Sequence, residues 1–188
     1  FKQRRAAHLS GGMKKKLALA ATLIHEPPIL LLDEPTTGVD PVSRREFWEI
    51  LTDLYRGGTT IVVTTPYMDE ADRCGRVGLI YQGRLIRCDT PQRIRDQIEG
   101  ELIELQAPDW QAARELAATF PGLIEIQTYG ESLHLLVDDA ERRLPEMRDR
   151  LDAADVEIRV LRRARLRMEE AFISLIREME EREAAPDA

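Results

Sequence analysis

Residues 29–35 read Ile-Leu-Leu-Leu-Asp-Glu-Pro, four aliphatic residues closed by two carboxylates and a proline. A continuous apolar run ended abruptly by charge is the pattern of a strand buried on both faces of a parallel sheet. Its end falls at the carboxyl edge of that sheet, where open α/β sheets bind ligands. Asp33 can orient a magnesium ion there, and Glu34 can polarise a water for attack on a γ-phosphate. A single carboxylate at a strand end serves equally well to cap the next turn. Two of them, after four aliphatics and before Pro-Thr-Thr-Gly-Val-Asp-Pro, read as chemistry.

Working outward, Leu9 to Ala20 reads LSGGMKKKLALA, a serine and two glycines opening a helix that stops before Pro27 and Pro28. The first amides and the Ser10 hydroxyl of such a helix face outward with the positive dipole end behind them, which is a ready anion site. Lys14, Lys15 and Lys16 oppose the dipole, and a bound anion offsets that cost. Taken alone, the stretch is read equally as a solvated basic face with an ordinary serine cap. Beyond the strand, Asp40 caps a helix with Pro41 in its first turn. Phe47, Ile50, Leu51 and Leu54 line one face of it until Gly57 and Gly58 end it. A second buried strand is predicted at residues 60–64. Helix, strand, helix, strand is the order of an α/β domain.

A short helix around 69–73 leads to two runs, 77–81 and 84–88, that flank Gln82-Gly83 as a hairpin. Thr90-Pro91 starts another helix. After Gly100 the pattern becomes strand 101–106, helix 110–119, strands 123–128 and 132–137, helix 141–153 and strand 156–161. This β-α-β-β-α-β order is the ferredoxin-like arrangement, and a domain boundary is placed near Gly100. The last helix carries Met168, Phe172, Leu175, Ile176 and Met179 as an apolar stripe, read as docking on its own domain rather than on a partner. From Glu180 the sequence turns acidic and then Ala/Pro-rich, the composition of a mobile tail.

Composition bounds the rest. The 188 residues suffice for one good-sized core or two small ones, and 43% hydrophobic with 32% charged residues argues against disorder. A formal net charge of -7 disfavours nucleic acid as the main partner. The cluster Arg162, Arg163, Arg165 and Arg167 reads as a solvated strand-to-helix connection. Cys74 and Cys88 have neither disulfide-framework density nor metal-ligand spacing, which fits a reducing, cytosolic setting. The longest nearly apolar stretch, residues 17–24, is too short to span a bilayer. The first residue is Phe1, so the chain is expected to be a piece of a longer one.

Together these stretches resemble the ABC-type ATPase domains of membrane transporters. LSGGM resembles their signature motif, ILLLDEP their Walker B strand and TTGVD (residues 36–40) their D-loop, at the family's spacing. The likeness is strong to about Gly100. It extends more weakly to Arg-Met-Glu-Glu-Ala-Phe-Ile (167–173), which is similar to the end of drug-resistance-type exporter ATPases. It implies a partial P-loop NTPase sheet over 1–100, a small appended α+β domain over 101–179 and a tail over 180–188. It implies that Leu9, Ser10, Gly11, Gly12 and Met13 meet the γ-phosphate of ATP held by an opposite nucleotide-binding domain. It implies too that Glu34 is the catalytic glutamate, that Asp33 holds magnesium through water, and that Asp40 communicates between two composite sites. The partners implied are a second nucleotide-binding domain, in the same chain or a second copy, and transmembrane permease subunits. The place implied is the inner face of the cell membrane, with no nucleic acid involved.

Two departures stand out. TTPYMDEAD (64–72) carries Pro66 where the family has its switch histidine, and proline has neither a side-chain donor nor an amide. His8, His25 and His134 do not occupy that position. No glycine in the chain is followed by lysine, so the phosphate-cradling G-x-x-x-x-G-K-[ST] loop is not within it. The resemblance places that loop upstream of Phe1. TTPYMDEA is similar to the first half of proteins that carry two such domains. The leading expectation is the ATPase subunit of an exporter, with the fragment inactive by itself. The alternatives are a soluble ABC ATPase working on ribosomes or DNA, and a non-catalytic interaction module.

Overall fold

The structure, a computed structural model, describes residues 5–184. Contacts divide the chain into two compact units, Phe1–Glu70 and Ala71–Ala188. The first begins with a 3-10 turn at Ala6–His8 and helix α1 (Gly11–Leu23). Strand β1 (Ile29–Asp33), helix α2 (Pro41–Arg56) and strand β2 (Thr60–Thr64) follow. Strands β1 and β2 pair in parallel, with Asp33 opposite Thr64. Helix α2 turns Phe47, Trp48 and Leu51 inward, and Gly57 ends it with an amide bonded to the Asp53 carbonyl.

Burial on both faces, expected of these strands, is not what the unit has. Leu30 is 3% exposed, but Ile29, Leu31 and Val62 are 58%, 72% and 51% exposed. Side chains alternate across a strand, and Leu30 points to the buried side while its neighbours point away from it. Helix α1 likewise buries Gly12 and Leu19 but leaves Leu17 and Ile24 outside.

Helix α3 (Met68–Ala71) precedes the hairpin β3 (Val77–Tyr81) and β4 (Arg84–Asp89). The hairpin turns through Gln82 (φ 47°) and Gly83 (φ 76°), both left-handed as a type I′ turn requires. Helix α4 (Pro91–Arg95) is capped by Thr90. Strand β5 (Glu101–Gln106), helix α5 (Trp110–Ala118), strands β6 (Leu123–Tyr129) and β7 (Ser132–Val137), helix α6 (Ala140–Ala153) and strand β8 (Val160–Ala164) then form the ferredoxin-like body. Its sheet is antiparallel in the order β6-β7-β5-β8. Ile103, Leu105, Leu133, Leu135, Met147 and Leu151 are buried together between sheet and helices.

Gly100 lies inside the second unit, because hairpin and α4 bond to residues beyond it. Tyr81 donates to Glu180 at 2.9 Å, and Arg165 donates to Gln92 at 2.9 Å. Strand β8 starts four residues later than the apolar alternation at 156–161 suggests. Val156 and Ile158 pack on the core, but the chain is still leaving α6 there, with Asp155 at φ 57° and the Val156 amide bonded to the Leu151 carbonyl. Arg162 and Arg163 consequently belong to β8 rather than to a solvated connection, and they pair with Glu104 (2.7 Å) and Glu101 (2.6 Å).

Helix α7 (Met168–Ala184) buries Met168, Ala171 and Leu175. It continues through Glu180–Ala184, where a tail was expected; residues 185–188 lie outside the described residues. Its Glu170 faces His134 Nδ1 at 2.6 Å, each side chain 3% exposed. Burial pushes the Glu170 carboxyl up, but the His134 contact and the Arg167 amide outweigh it and hold it below the usual range. Neither Cys74 nor Cys88 is in a disulfide. No helix among the described residues is long and apolar enough to cross a membrane.

Candidate active site

Serine at the start of α1 does what its position predicts. Ser10 is extended (φ −64°, ψ 164°), and its hydroxyl accepts the Met13 amide at 3.3 Å. The opening amides of a helix have no intrahelical acceptor, and they belong here to Gly11 and Gly12. Gly12 is buried because α2 crosses it. A Cβ at Gly12 would lie 2.6 Å from Ser43 Cβ, whereas one at Gly11 would meet only the Gly38 carbonyl, at 3.6 Å. The start of α1 therefore rests against the loop Gly38–Asp40 and the first turn of α2. Leu9 and Met13 are half-buried beside it, and Lys14 is exposed.

Glu34 follows β1 in the left-handed region, at φ 42°. For a non-glycine residue this costs roughly 1–2 kcal/mol, and several contacts hold it there. Its amide donates to the Thr64 carbonyl at 3.0 Å and to the Thr64 hydroxyl at 3.1 Å. The Thr37 hydroxyl donates to Glu34 Oε2 at 3.1 Å, and Lys15 Nζ donates to the Glu34 carbonyl at 3.3 Å. The carboxylate is thus aimed by Thr37 while the backbone is locked to β2. Asp33 is exposed and accepts a hydrogen bond from the Thr64 hydroxyl. Among the described residues no group of three or more His, Cys, Asp or Glu gathers into a metal site. Asp33 fits a magnesium ion whose other oxygen ligands come from phosphates and water, the usual arrangement for that ion.

Asp40 caps α2, its Oδ1 accepting the Ser43 amide at 2.9 Å, and that bond holds its carboxyl below the ordinary value. Pro66 is exposed just past β2. The neighbouring Thr65 hydroxyl accepts the Tyr67 amide at 3.1 Å and donates to Glu70 Oε2 at 2.6 Å. The structure thus brings Ser10–Met13, Lys15, Asp33, Glu34 and Asp40 into one neighbourhood, with Pro66 at the end of the adjoining strand. Thr37, Thr64 and Glu70 were not singled out from the sequence. Thr64 was legible as the residue opposite Asp33 once the strands are paired. Glu70 had no signal beyond its place in a short acidic helix.

A family described as "AAA domain, putative AbiEii toxin, Type IV TA system" matches residues 2–66. The Nod factor export ATP-binding protein I of Rhizobium etli is 39% identical over 179 residues, covering 94% of this chain and 54% of that protein. The daunorubicin resistance ATP-binding protein DrrA2 of Streptomyces coeruleorubidus is 35% identical, covering 95% of this chain and 57% of its own length. The probable multidrug ABC transporter ATP-binding protein YbhF of Escherichia coli is 54% identical over 86 residues, 46% of this chain and 15% of that protein. A solved structure of cbiO1 from Clostridium perfringens, part of the ABC transporter complex cbiONQ, is 29% identical with a TM-score of 0.45, covering 62% of this chain and 42% of that one. The chain is thus similar to ATP-binding proteins named for ABC transport, export and drug resistance. It spans about half the length of the export proteins it matches along nearly all of its own.

Proposed function

We propose that this chain is part of the ATP-hydrolysing subunit of an ABC exporter, working at the inner face of the cell membrane with permease subunits and a second nucleotide-binding domain. The observation that carries the reading is the setting of Glu34. Its carboxylate is aimed by Thr37 and its strained backbone is bonded to Thr64, as expected of a base that must keep one position. Glu34 would take the proton of the attacking water. Asp33 would orient magnesium, which supplies charge neutralisation at the phosphates. Leu9 to Met13 would meet the γ-phosphate of the nucleotide held across the dimer, with the amides of Gly11 and Gly12 as donors. Asp40, between the helix start and α2, would carry the state of one composite site to the other. The division into an ATPase portion over 1–100 and an appended domain over 101–179 belongs to the same reading.

Glu34→Gln in the intact parent protein tests it. ATP binding is expected to change little, while single-turnover hydrolysis at this site, with the other site disabled, slows by about 10²–10⁴-fold. An unchanged rate removes Glu34 from the reaction. Because no phosphate-cradling loop lies within these residues, the isolated chain is expected to show no saturable magnesium-ATP binding in the micromolar range by calorimetric titration.

A further inference from the structure

Glu70 is an acidic residue whose side chain is almost fully enclosed. It is 1% exposed, and so is Thr36 beside it. A buried carboxylate is costly unless hydrogen-bonded or paired, so its partners show what holds it. Thr36 Oγ1 donates to Glu70 Oε1 at 2.8 Å, and Thr65 Oγ1 donates to Glu70 Oε2 at 2.6 Å. Arg44 Nε of α2 stands 3.8 Å from Oε1, while the same guanidinium donates to Asp69 at 2.8 Å. One carboxylate thus joins two loops that leave the same edge of the β1–β2 pair.

What those loops carry gives the tie its meaning. Thr36 is bonded through the chain to Thr37, whose hydroxyl aims the Glu34 carboxylate. Thr65 follows Thr64, whose carbonyl and hydroxyl receive the Glu34 amide. Glu34 is therefore held at its backbone by β2 and at its side chain by the loop that Glu70 fixes to the end of β2. We infer that Glu70 is a positioning residue for ATP hydrolysis, setting the orientation of the Glu34 carboxylate through Thr36 and Thr65 without touching nucleotide. This rests on the reading of Glu34 as the base. It accounts for a buried carboxylate that a purely structural tie would not need, since an aliphatic side chain of similar volume fills the same space with no charge to satisfy.

The test uses the intact parent with its partners. Thr36→Val and Thr65→Val each remove one hydroxyl at nearly constant shape, and Glu70→Gln removes the charge and one acceptor. With the other site disabled, each is expected to lower kcat at this site by about ten-fold, the scale of a small misplacement of a reacting group, with KM for ATP within about two-fold because binding is untouched. In a Glu34→Gln background the same substitutions are expected to have no further effect, since the group they aim is gone. If kcat is unchanged in folded Thr36→Val and Thr65→Val proteins, or if the losses multiply with that of Glu34→Gln, the inference is overturned and Glu70 is only structural. If Glu34→Gln by itself leaves hydrolysis intact, the reading of Glu34 falls first and the inference falls with it. Should Glu70→Gln not fold, the two valine variants still decide.

Discussion

The Glu34 amide donates to both oxygens of Thr64, the carbonyl at 3.0 Å and the hydroxyl at 3.1 Å. The hydroxyl donates onward to Asp33, so a single threonine on β2 organises both carboxylates that end β1. Thr64→Val removes the hydroxyl but keeps the carbonyl bond. Stability is expected to fall by about 1–2 kcal/mol, the worth of the two exposed hydrogen bonds that hydroxyl makes. Turnover at this site, read in the intact protein with the other site disabled, is expected to fall by about ten-fold, because the pair loses its alignment. ATPase assays alongside thermal melts separate the two; a stability loss with normal turnover would leave Thr64 without this role.

This relationship marks how far the sequence could be read. Caps and turns are written locally. Ser10, Asp40 and Thr90 cap the helices they precede, and Gln82-Gly83 closes a two-residue hairpin, since each uses only its own side chain or φ. The β-α-β-β-α-β order after Gly100 was legible because period and punctuation alternate cleanly. Register and burial were not. The start of β8 depends on how α6 unwinds at Asp155, and the exposure of Leu31 depends on which face of β1 is covered. Candidate site residues in contiguous motifs were visible for the same local reason. Glu70 was not, because its partners Thr36 and Thr65 reach it from separate loops.

Gly12 supplies a stability test of the α1–α2 contact. A Cβ there would stand 2.6 Å from Ser43 Cβ and 2.7 Å from its Oγ, and a Cβ cannot rotate away. Gly12→Ala is expected to force the helices apart and cost about 1–3 kcal/mol. Gly11→Ala, which meets only an ordinary contact at 3.6 Å, should stay within about 0.5 kcal/mol. Urea unfolding followed by Trp48 fluorescence, in a Trp110→Phe background, reads the first unit. Equal effects of the two substitutions would contradict the packing described.

Acid sensitivity in the second unit centres on Asp138 and Arg143. Arg143 Nε and Nη2 both donate to the Asp138 carboxylate at 2.7 Å. That bidentate bond lowers the Asp138 pKa from 3.8 to about 2. A carboxyl depressed on folding contributes stability above its unfolded pKa and loses it as pH falls through the folded value. The advantage of the native protein over Asp138→Asn is therefore expected to be constant above about pH 5 and to shrink between pH 4 and 2. Urea midpoints of both proteins across that range check it. A difference independent of pH would mean the pair adds no titrating stabilisation.

Pro66 stands where a donor to the γ-phosphate is expected, and it can offer none. Phosphoryl transfer is catalysed largely by positioning and by stabilising charge, so one missing donor lowers the rate more than the affinity; loss of a comparable preorganised donor costs about 10²–10³-fold. The site is therefore expected to hold ATP longer than it hydrolyses it. Pro66 is exposed, and the adjoining backbone is held independently by the Thr65 hydroxyl, which accepts the Tyr67 amide and donates to Glu70. Pro66→His should keep that turn, costing about 1 kcal/mol or less through the freedom restored to the unfolded chain. Single-turnover decay of ATP at this site in the intact protein, with the second domain's glutamate disabled, is then expected to speed up. A folded Pro66→His protein with an unchanged or slower decay would assign Pro66 to ending β2 and leave the donor to another group.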